Sequence, residues 1–219
     1  MRALFQLRTS SSKFDLIVAR NARKVETMLA LRKRLGTGFA ALACAGLAGC
    51  GSAPLETFDL SAPSALSARI PRGQMVIAEP VATLPVDSDR IVIRTGPESV
   101  AYLTGAQWPD RLPRLLQTRL IETFENARLL RNVGRPGLTA DYSLTTEIRR
   151  FEVDVTTGMA VAEFSVKLVG DRSGRVVAAK VFSARAPSPT SGPPAMAAAL
   201  NQVLGDVLRQ IVAWAAGRV

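Results

Sequence analysis

Hydrophobic and polar residues alternate with a period of two through much of the second half of the chain. The longest such run covers residues 140–155, in which Tyr142, Leu144, Thr146 and Ile148 fall on one side of an extended strand. The alternation changes phase after the next two arginines, which indicates a β-bulge at that point. Shorter strands are predicted over residues 74–82, 90–95, 99–103, 160–170 and 176–185.

The connections between these predicted strands favour antiparallel pairing. Residues 90–95 and 99–103 are separated by Gly96, Pro97 and Glu98, a turn sequence that predicts a hairpin. The last three strands follow one another through short polar turns. They therefore predict an antiparallel meander with one buried face.

Helical spacing of apolar residues occurs in two segments, over residues 107–130 and 195–217. Pro109 and Pro113 suit the first turn of the earlier helix, where a missing N–H is tolerated. The predicted fold class is therefore α+β, with two helices packed on a mostly antiparallel sheet. The apolar faces consist of Leu112, Leu115, Leu116, Leu120 and Phe124 in the first helix, and Met196, Leu200, Val203, Leu204, Val207, Leu208, Ile211 and Trp214 in the second.

A short basic segment followed by an apolar run begins near Met28. Residues 32–34 are Arg-Lys-Arg and residues 35–47 are mostly apolar, which is the layout of a secretory signal peptide. The apolar run is too short to span a ~30 Å hydrocarbon core as a helix. Residues 28–49 are therefore predicted to be an export signal.

The predicted signal ends in Leu47-Ala48-Gly49-Cys50, which resembles the lipobox of bacterial lipoproteins. In that motif small residues precede a cysteine whose thiol receives a diacylglyceryl group, and whose amino group is acylated after cleavage. Cys50 is thus the predicted lipid attachment residue, and two or three acyl chains hold a protein stably on a membrane. Cys44 is the rival position, but leucine stands two residues before it, where the motif favours a small residue.

The export signal divides the chain into four predicted parts. Residues 1–27 precede a signal that is complete from Met28, and we expect them to be a spurious or disordered extension. After the signal at 28–49, residues 50–73 are rich in Ser, Ala, Pro and Gly and predict a lipidated tether, in which TFDLSAP could form a short edge strand. Residues 74–219 are the predicted folded domain.

The residue that follows the predicted lipid anchor bears on which membrane carries the protein. It is Gly51, whereas aspartate at this position retains enterobacterial lipoproteins at the inner membrane. By resemblance to that rule, we expect this chain on the outer membrane, facing the periplasm, rather than on the inner membrane.

The net charge of +10 comes mainly from the predicted leader. Residues 1–49 contain nine of the 28 basic residues and two of the 18 acidic residues, and so account for +7. Basic and acidic residues are interspersed in the remainder, so the sequence does not predict nucleic-acid binding. The chain has no histidine and no cysteine after Cys50, which removes the usual nucleophile–base pairs and zinc sites. We therefore expect no catalytic residue, metal or cofactor.

The order of these features resembles a known family, the PqiC-like auxiliary lipoproteins of ABC-type transporters. The likeness covers most of residues 50–219. Asp89-Arg90 resembles the start of a family strand, and Trp108 resembles the aromatic residue ahead of the first family helix. The segments that carry the resemblance are TFDLSAP, DSDRIVIRTGPESVAYLTGAQWPDRLPRLLQTRL, ADYSLTTEIRRFE, GRVVAAKVFSA and the terminal IVAWAAG.

This resemblance implies a non-catalytic component of a transport system. Such lipoproteins accompany an ABC permease, its ATPase and an MCE-domain protein, and the system moves phospholipid or other hydrophobic molecules between membranes, or resists organic solvents. The lipoprotein would hold or guide the transport conduit at the outer membrane, alone or as a homo-oligomer. We expect the sheet edge around the predicted hairpin to contact the MCE partner, through Arg90, Arg94, Tyr102 and Trp108. For Trp108 the alternative role is to cap the core.

Two other function classes stay open at this stage. A structural or assembly lipoprotein of the outer membrane would be encoded beside a β-barrel gene, whereas a transport component would be encoded beside permease and MCE genes. A periplasmic lipid carrier would hold an acyl chain between sheet and helices, and would co-purify with lipid.

Overall fold

The structure, a computed structural model, describes residues 54–64 and 73–219. Leu47, Ala48, Gly49 and Cys50 lie outside these residues. The described part is an α+β fold in which two helices pack on one mixed sheet. The strands are β1 Glu56–Thr57, β2 Gln74–Ile77, β3 Val81–Ala82, β4 Arg90–Gly96, β5 Ser99–Gln107, β6 Asn132–Gly134, β7 Tyr142–Asp154, β8 Met159–Gly170 and β9 Val176–Pro187, and the helices are α1 Leu112–Ala127 and α2 Pro193–Ala215.

The long strand β7 organises the sheet. On one side it pairs antiparallel with β8, which pairs antiparallel with β9, so the predicted meander is confirmed. On the other side it pairs in parallel with β2, β3 and β4, one after another along its length. β6 continues the sheet beside β2, and β5 and β1 continue it beside β4. The long pairings are therefore antiparallel, and the parallel pairings, which the sequence did not predict, are short.

The predicted strand over 74–82 is divided into β2 and β3 in the structure. Ile77 lies opposite Leu144 and Val81 lies opposite Glu147, so the register against β7 shifts by one residue between them. The interruption includes Pro80, which has no N–H to donate to a neighbouring strand. A single proline therefore explains why an apolar run forms two short strands.

The predicted bulge in β7 is confirmed. Ile148 lies opposite Phe164 and Arg150 lies opposite Glu163, so Arg149 is the extra residue in the ladder. Before the bulge the even-numbered residues face the helices, and after it Phe151 and Val153 take over that side. One inserted residue thus keeps the apolar face of a 13-residue strand directed at the core.

Both helices cover the same hydrophobic core. Helix α2 packs on β8 and β9, and α1 packs on α2, β2 and β6. The apolar face predicted for each helix is fully buried. Helix α1 has Pro113 in its first turn, as its sequence predicts, and ends at Arg128, which adopts a left-handed conformation with φ of 49°.

The segment before the first long strand is part of the fold rather than only a tether. β1 pairs in parallel with the end of β5, and Leu60 is 1% exposed in the core. The Asp59 carboxylate accepts two 2.8 Å hydrogen bonds from Arg119 of α1, and the Ser61 N–H donates to Asn201 of α2 over 2.8 Å. We expected residues 50–73 to form the tether, but residues 56–61 connect the sheet edge to both helices.

Candidate interaction surface

The β4–β5 hairpin leaves one edge of the sheet unpaired. Only Ala106 and Gln107 of β5 pair with β1, and no strand within the described residues pairs with the outer edge of residues 99–105. Val100 is 43% exposed and Tyr102 is 42% exposed on this stretch. An unpaired strand edge with exposed side chains is a template for strand addition by another chain.

A bulge over residues 103–106 forms the end of this free edge and adjoins the part of β5 that β1 covers. Arg90 lies opposite Gln107 and Val92 lies opposite Tyr102, so several residues of β5 face a single residue of β4. Within the bulge Gly105 has a φ of +76°, a conformation that residues with a Cβ rarely adopt. The bulge therefore changes the course of β5 at the point where β1 joins it.

Arg90 and Tyr102 form a cation–π pair on the hairpin. The Arg90 guanidinium carbon lies 5.4 Å from the centre of the Tyr102 ring. The Arg90 Nε is buried and has no hydrogen-bond partner within the described residues, and no carboxylate there forms an ion pair with this side chain. The sequence-predicted pair is thus brought together, and it presents a cation whose charge no described acidic side chain balances.

Arg94, the third predicted contact residue, has a structural role. Its guanidinium donates to Glu152 of β7 from Nε over 2.8 Å and from Nη2 over 3.1 Å, and to the carbonyl of Pro97 over 2.9 Å. Arg150 donates to the same carboxylate from Nε over 2.7 Å. The hydrogen bond to Glu152 raises the pKa of Arg94 and outweighs the opposing effect of burial. Arg94 therefore fixes the hairpin to β7.

Sequence reasoning missed Glu152, which is 3% exposed. The phase change in β7 places it on the polar side of the strand, where an acidic residue is unremarkable. Its partner Arg94 is 58 positions away, so no local pattern indicates the pair.

Trp108 lies in the core, so its prediction as a partner contact is corrected. It is 2% exposed, and its ring centroid lies 6.0 Å from that of Phe151 on β7. The backbone N–H of Trp108 donates to the backbone carbonyl of Asp89 over 2.7 Å, which fixes the chain between β5 and α1. A bulky apolar ring at this junction fills the space between sheet and helix, which is the alternative role that the sequence allowed.

The last strand of the meander provides a second free edge. β9 pairs with β8 on one side, and nothing in residues 54–64 or 73–219 pairs with its other side. Val176, Val177 and Val181 are exposed on it, with Val181 44% exposed. Lys180 directly precedes Val181 and Arg185 lies four positions after it, and basic residues on an edge strand discourage pairing between sheets.

The described residues form a shallow groove, and they contain no metal-binding cluster. The groove has a volume of about 250 Å³ and is lined mainly by β7, β8 and the link between β2 and β3. Charged residues, namely Glu79, Glu147 and Lys167, contribute to its wall, which does not suit an acyl chain. No group of three or more His, Cys, Asp or Glu side chains within residues 54–64 and 73–219 is arranged to hold a metal.

Among the residues that the structure covers, no helix has both the length and the apolar character that crossing a bilayer requires.

Comparison with known protein families decides the classification of the chain. Residues 57–212 match the family of ABC-type transport auxiliary lipoprotein components. The chain belongs to this family. The match begins inside β1 and ends near the end of α2, so it includes the segment that packs between the helices.

Individual relatives agree with this assignment. Protein XCC0632 from Xanthomonas campestris, whose crystal structure is known, is 28% identical and superposes with a TM-score of 0.70 over 74% of this chain and 95% of that protein. A second crystal structure, of an uncharacterized protein, has a TM-score of 0.60 at 13% identity, over 74% of this chain and 99% of that one, and so shows the fold alone.

A curated relative extends beyond this chain. Uncharacterized protein bll6063 from Bradyrhizobium diazoefficiens is 27% identical over 205 residues, which are 90% of this chain and 52% of that protein. The chain therefore spans about half the length of the curated relative that it matches. The family to which the chain belongs is one of auxiliary components of ABC-type transport.

Proposed function

We propose that this protein is an outer-membrane lipoprotein that supports an ABC transport system of the MCE type, which moves lipids or other hydrophobic compounds. The observation that carries the proposal is the free edge of β5, because an unpaired strand edge is a site where another chain can add a strand. Family membership supports the transport role, and the predicted lipobox at Cys50 supports the anchor.

Binding to the MCE-domain protein would occur by addition of a strand of the partner to residues 99–105 of β5. The unpaired backbone groups of this edge supply hydrogen bonds, and the side chains that alternate along it supply specificity. Val100 and Tyr102 offer apolar and aromatic contact area. Arg90, which lacks an acidic partner among the described residues, would pair with an acidic side chain of the added strand.

A matched pair of substitutions compares the free edge of β5 with the free edge of β9. Val100→Lys on β5 and Val181→Lys on β9 place the same charge at sites of nearly equal exposure, 43% and 44%. We expect Val100→Lys to weaken capture of the MCE-domain protein of the same bacterium by at least roughly tenfold, because a lysine on an edge strand opposes pairing. Val181→Lys should leave capture unchanged. Equal capture by both folded variants would refute docking at β5.

The anchor is tested separately. Intact mass measurement of the protein purified from membranes should show a diacylglyceryl-modified Cys50 as the amino-terminal residue. Cys50→Ala should accumulate as unprocessed precursor, and peptides from residues 1–27 in that precursor would show that translation begins before Met28. Cell fractionation should place the lipidated form in the outer membrane, and recovery in the inner membrane would contradict that part of the proposal.

A further inference from the structure

The chain between the predicted lipid anchor and the fold is short. β1 begins at Glu56, which pairs with Ala106 of β5, and the Phe58 N–H donates to the carbonyl of Gln107 over 2.9 Å. Cys50 and Pro54 are four positions apart in the sequence. Because consecutive Cα atoms lie about 3.8 Å apart, the Cα atoms of Cys50 and Pro54 are at most about 15 Å apart in any conformation.

This maximum distance is much shorter than the reach of the tether that the composition predicts. A free tether over residues 50–73 would have a root-mean-square length of roughly 25–30 Å and would allow the domain to turn freely above the membrane. The contacts of Asp59, Leu60 and Ser61 with both helices remove most of that length. The distance from anchor to fold is therefore set by residues 50–54.

Pro54 also explains why β1 does not cover the rest of β5. Every second residue of a strand directs its N–H toward the same neighbouring strand. Because the Phe58 N–H donates to β5, an N–H at position 54 would also point toward β5. Proline has no N–H, and pairing with β5 cannot continue through it. The free edge of residues 99–105 therefore stays open immediately beside the segment that leads to the anchor.

From this geometry we propose that the side of the domain formed by β1 and the free edge of β5 lies against the bilayer that holds the acyl chains of Cys50. The inference rests on the proposed function, because it requires lipidation of Cys50. Adjacent strands lie about 4.8 Å apart, so a partner strand added to β5 fits within a gap of ~15 Å. The part of the transport conduit that this protein contacts is then the end next to the membrane.

The proposal predicts that one turn of the sheet lies near the lipid and that another lies farther from it. The hairpin turn at Glu98 adjoins the free edge of β5, whereas the β8–β9 turn at Ser173 lies at the opposite end of β8 and on the opposite side of the sheet. Strands β4, β7 and β8 lie between β5 and β9. At about 4.8 Å between neighbouring strands, β9 is roughly 20 Å farther than the free edge of β5 from a bilayer that lies against that edge.

Energy transfer from the two turns to the membrane measures this orientation. Glu98→Cys and Ser173→Cys variants are lipidated in cells, purified and labelled with a donor dye, since Cys50 is the only native cysteine of the mature chain and its thiol is blocked by lipid. They are then placed in phosphatidylethanolamine and phosphatidylglycerol vesicles that carry an acceptor dye on the lipid headgroups. Intact mass measurement first verifies the acyl groups.

Two insertions of equal length complete the design. About 15 Gly and Ser residues between Ala53 and Pro54 add roughly 20 Å of root-mean-square reach between anchor and fold. The same insert between Thr190 and Ser191, in the exposed loop after β9, lengthens the chain equally without changing that distance.

We expect at least about twofold greater energy transfer from Glu98 than from Ser173, and loss of the difference only with the insert after Ala53. A lipidated protein with equal transfer from both positions, or with a difference that the insert after Ala53 leaves intact, would overturn membrane apposition while the proposed function stands. A protein that carries no lipid on Cys50 would overturn the anchor and this inference together.

Discussion

Arg94 and Glu152 join the β4–β5 hairpin to the central strand β7 by a two-point ion pair, with Nε–Oε1 at 2.8 Å and Nη2–Oε2 at 3.1 Å. The carboxylate is buried, and Arg150 also donates to its Oε1, from Nε over 2.7 Å. The hairpin whose outer strand has an unpaired edge is thereby fixed to β7 through its inner strand.

Arg94→Met should destabilise the protein by about 2–3 kcal/mol, because it leaves a buried carboxylate with one of its two cationic partners. Urea unfolding followed by circular dichroism measures the change. Arg114→Met is the matched control, since Arg114 forms an exposed ion pair with Asp110 at 3.3 Å, and its loss should cost less than ~1 kcal/mol. Equal effects from the two variants would contradict a structural role for Arg94.

Trp108→Ala should destabilise the protein by about 3–5 kcal/mol, because it empties a buried volume against Phe151. Trp108→Phe should cost clearly less, since the ring still fills part of the site. Tyr102→Ala, at an exposed position of the neighbouring strand, should cost less than ~1 kcal/mol. A Trp108→Ala variant of native stability that loses partner binding would restore the interface role and refute the core assignment.

The elements that could be predicted from the sequence are those whose apolar residues repeat regularly over a long continuous segment. The helices α1 and α2, the three strands of the meander and the bulge at Arg149 all come from apolar spacing within one segment. The parallel pairings of β2, β3 and β4 with β7 do not, because each involves only two or three residue pairs that are distant in sequence. Short contacts of this kind leave no periodic signal.

Only part of the candidate surface could be predicted, because contacts between residues distant in sequence leave no local pattern. Arg90 and Tyr102 lie close in sequence on a hairpin, so their proximity follows from the turn between them. The roles of Arg94 and Trp108 depend on Glu152 and Phe151 of a remote strand, and sequence spacing gives no information about those contacts. Composition alone also made residues 56–61 resemble a tether, because Asp59 and Leu60 gain their significance only from α1 and the core.

Leu60→Ala tests whether that segment belongs to the fold. Leu60 is 1% exposed, so truncation should cost about 2–4 kcal/mol from lost burial and the cavity that remains. Leu84→Ala is the same substitution at a residue that is 85% exposed, and it should change the free energy of unfolding by less than ~0.5 kcal/mol. Thermal or urea unfolding compares the two variants. Native stability of Leu60→Ala would show that the segment is dispensable and would weaken the limit on the anchor distance.

Asp154 at the β7–β8 turn gives the fold a specific response to acid. Its Oδ1 accepts hydrogen bonds from the Thr156 hydroxyl at 2.6 Å, the Thr156 N–H at 3.0 Å and the Thr157 N–H at 3.2 Å. These bonds, with the Thr156 hydroxyl foremost, hold the pKa of Asp154 below its ordinary value. Each of them favours the ionised carboxylate over the protonated acid.

The sign of the pH dependence follows from that lowered pKa. In the unfolded chain Asp154 takes up a proton near pH ~3.9, whereas in the folded protein it does so only at lower pH. Its contribution to stability is therefore present above about pH 4 and is lost as the pH falls through the folded pKa. Asp154→Asn should remove this dependence, so the stability difference between native protein and variant should shrink as the pH falls below about 4.

Direct titration of the carboxyl carbon by NMR separates this cause from general acid unfolding. The native protein should give a pKa for Asp154 below ~3.9, and Thr156→Val, which removes the hydroxyl donor and keeps both backbone donors, should raise it part of the way back. An Asp154 pKa at or above the ordinary value in the folded protein, or one that Thr156→Val leaves unchanged, would show that the turn does not stabilise the carboxylate in this way.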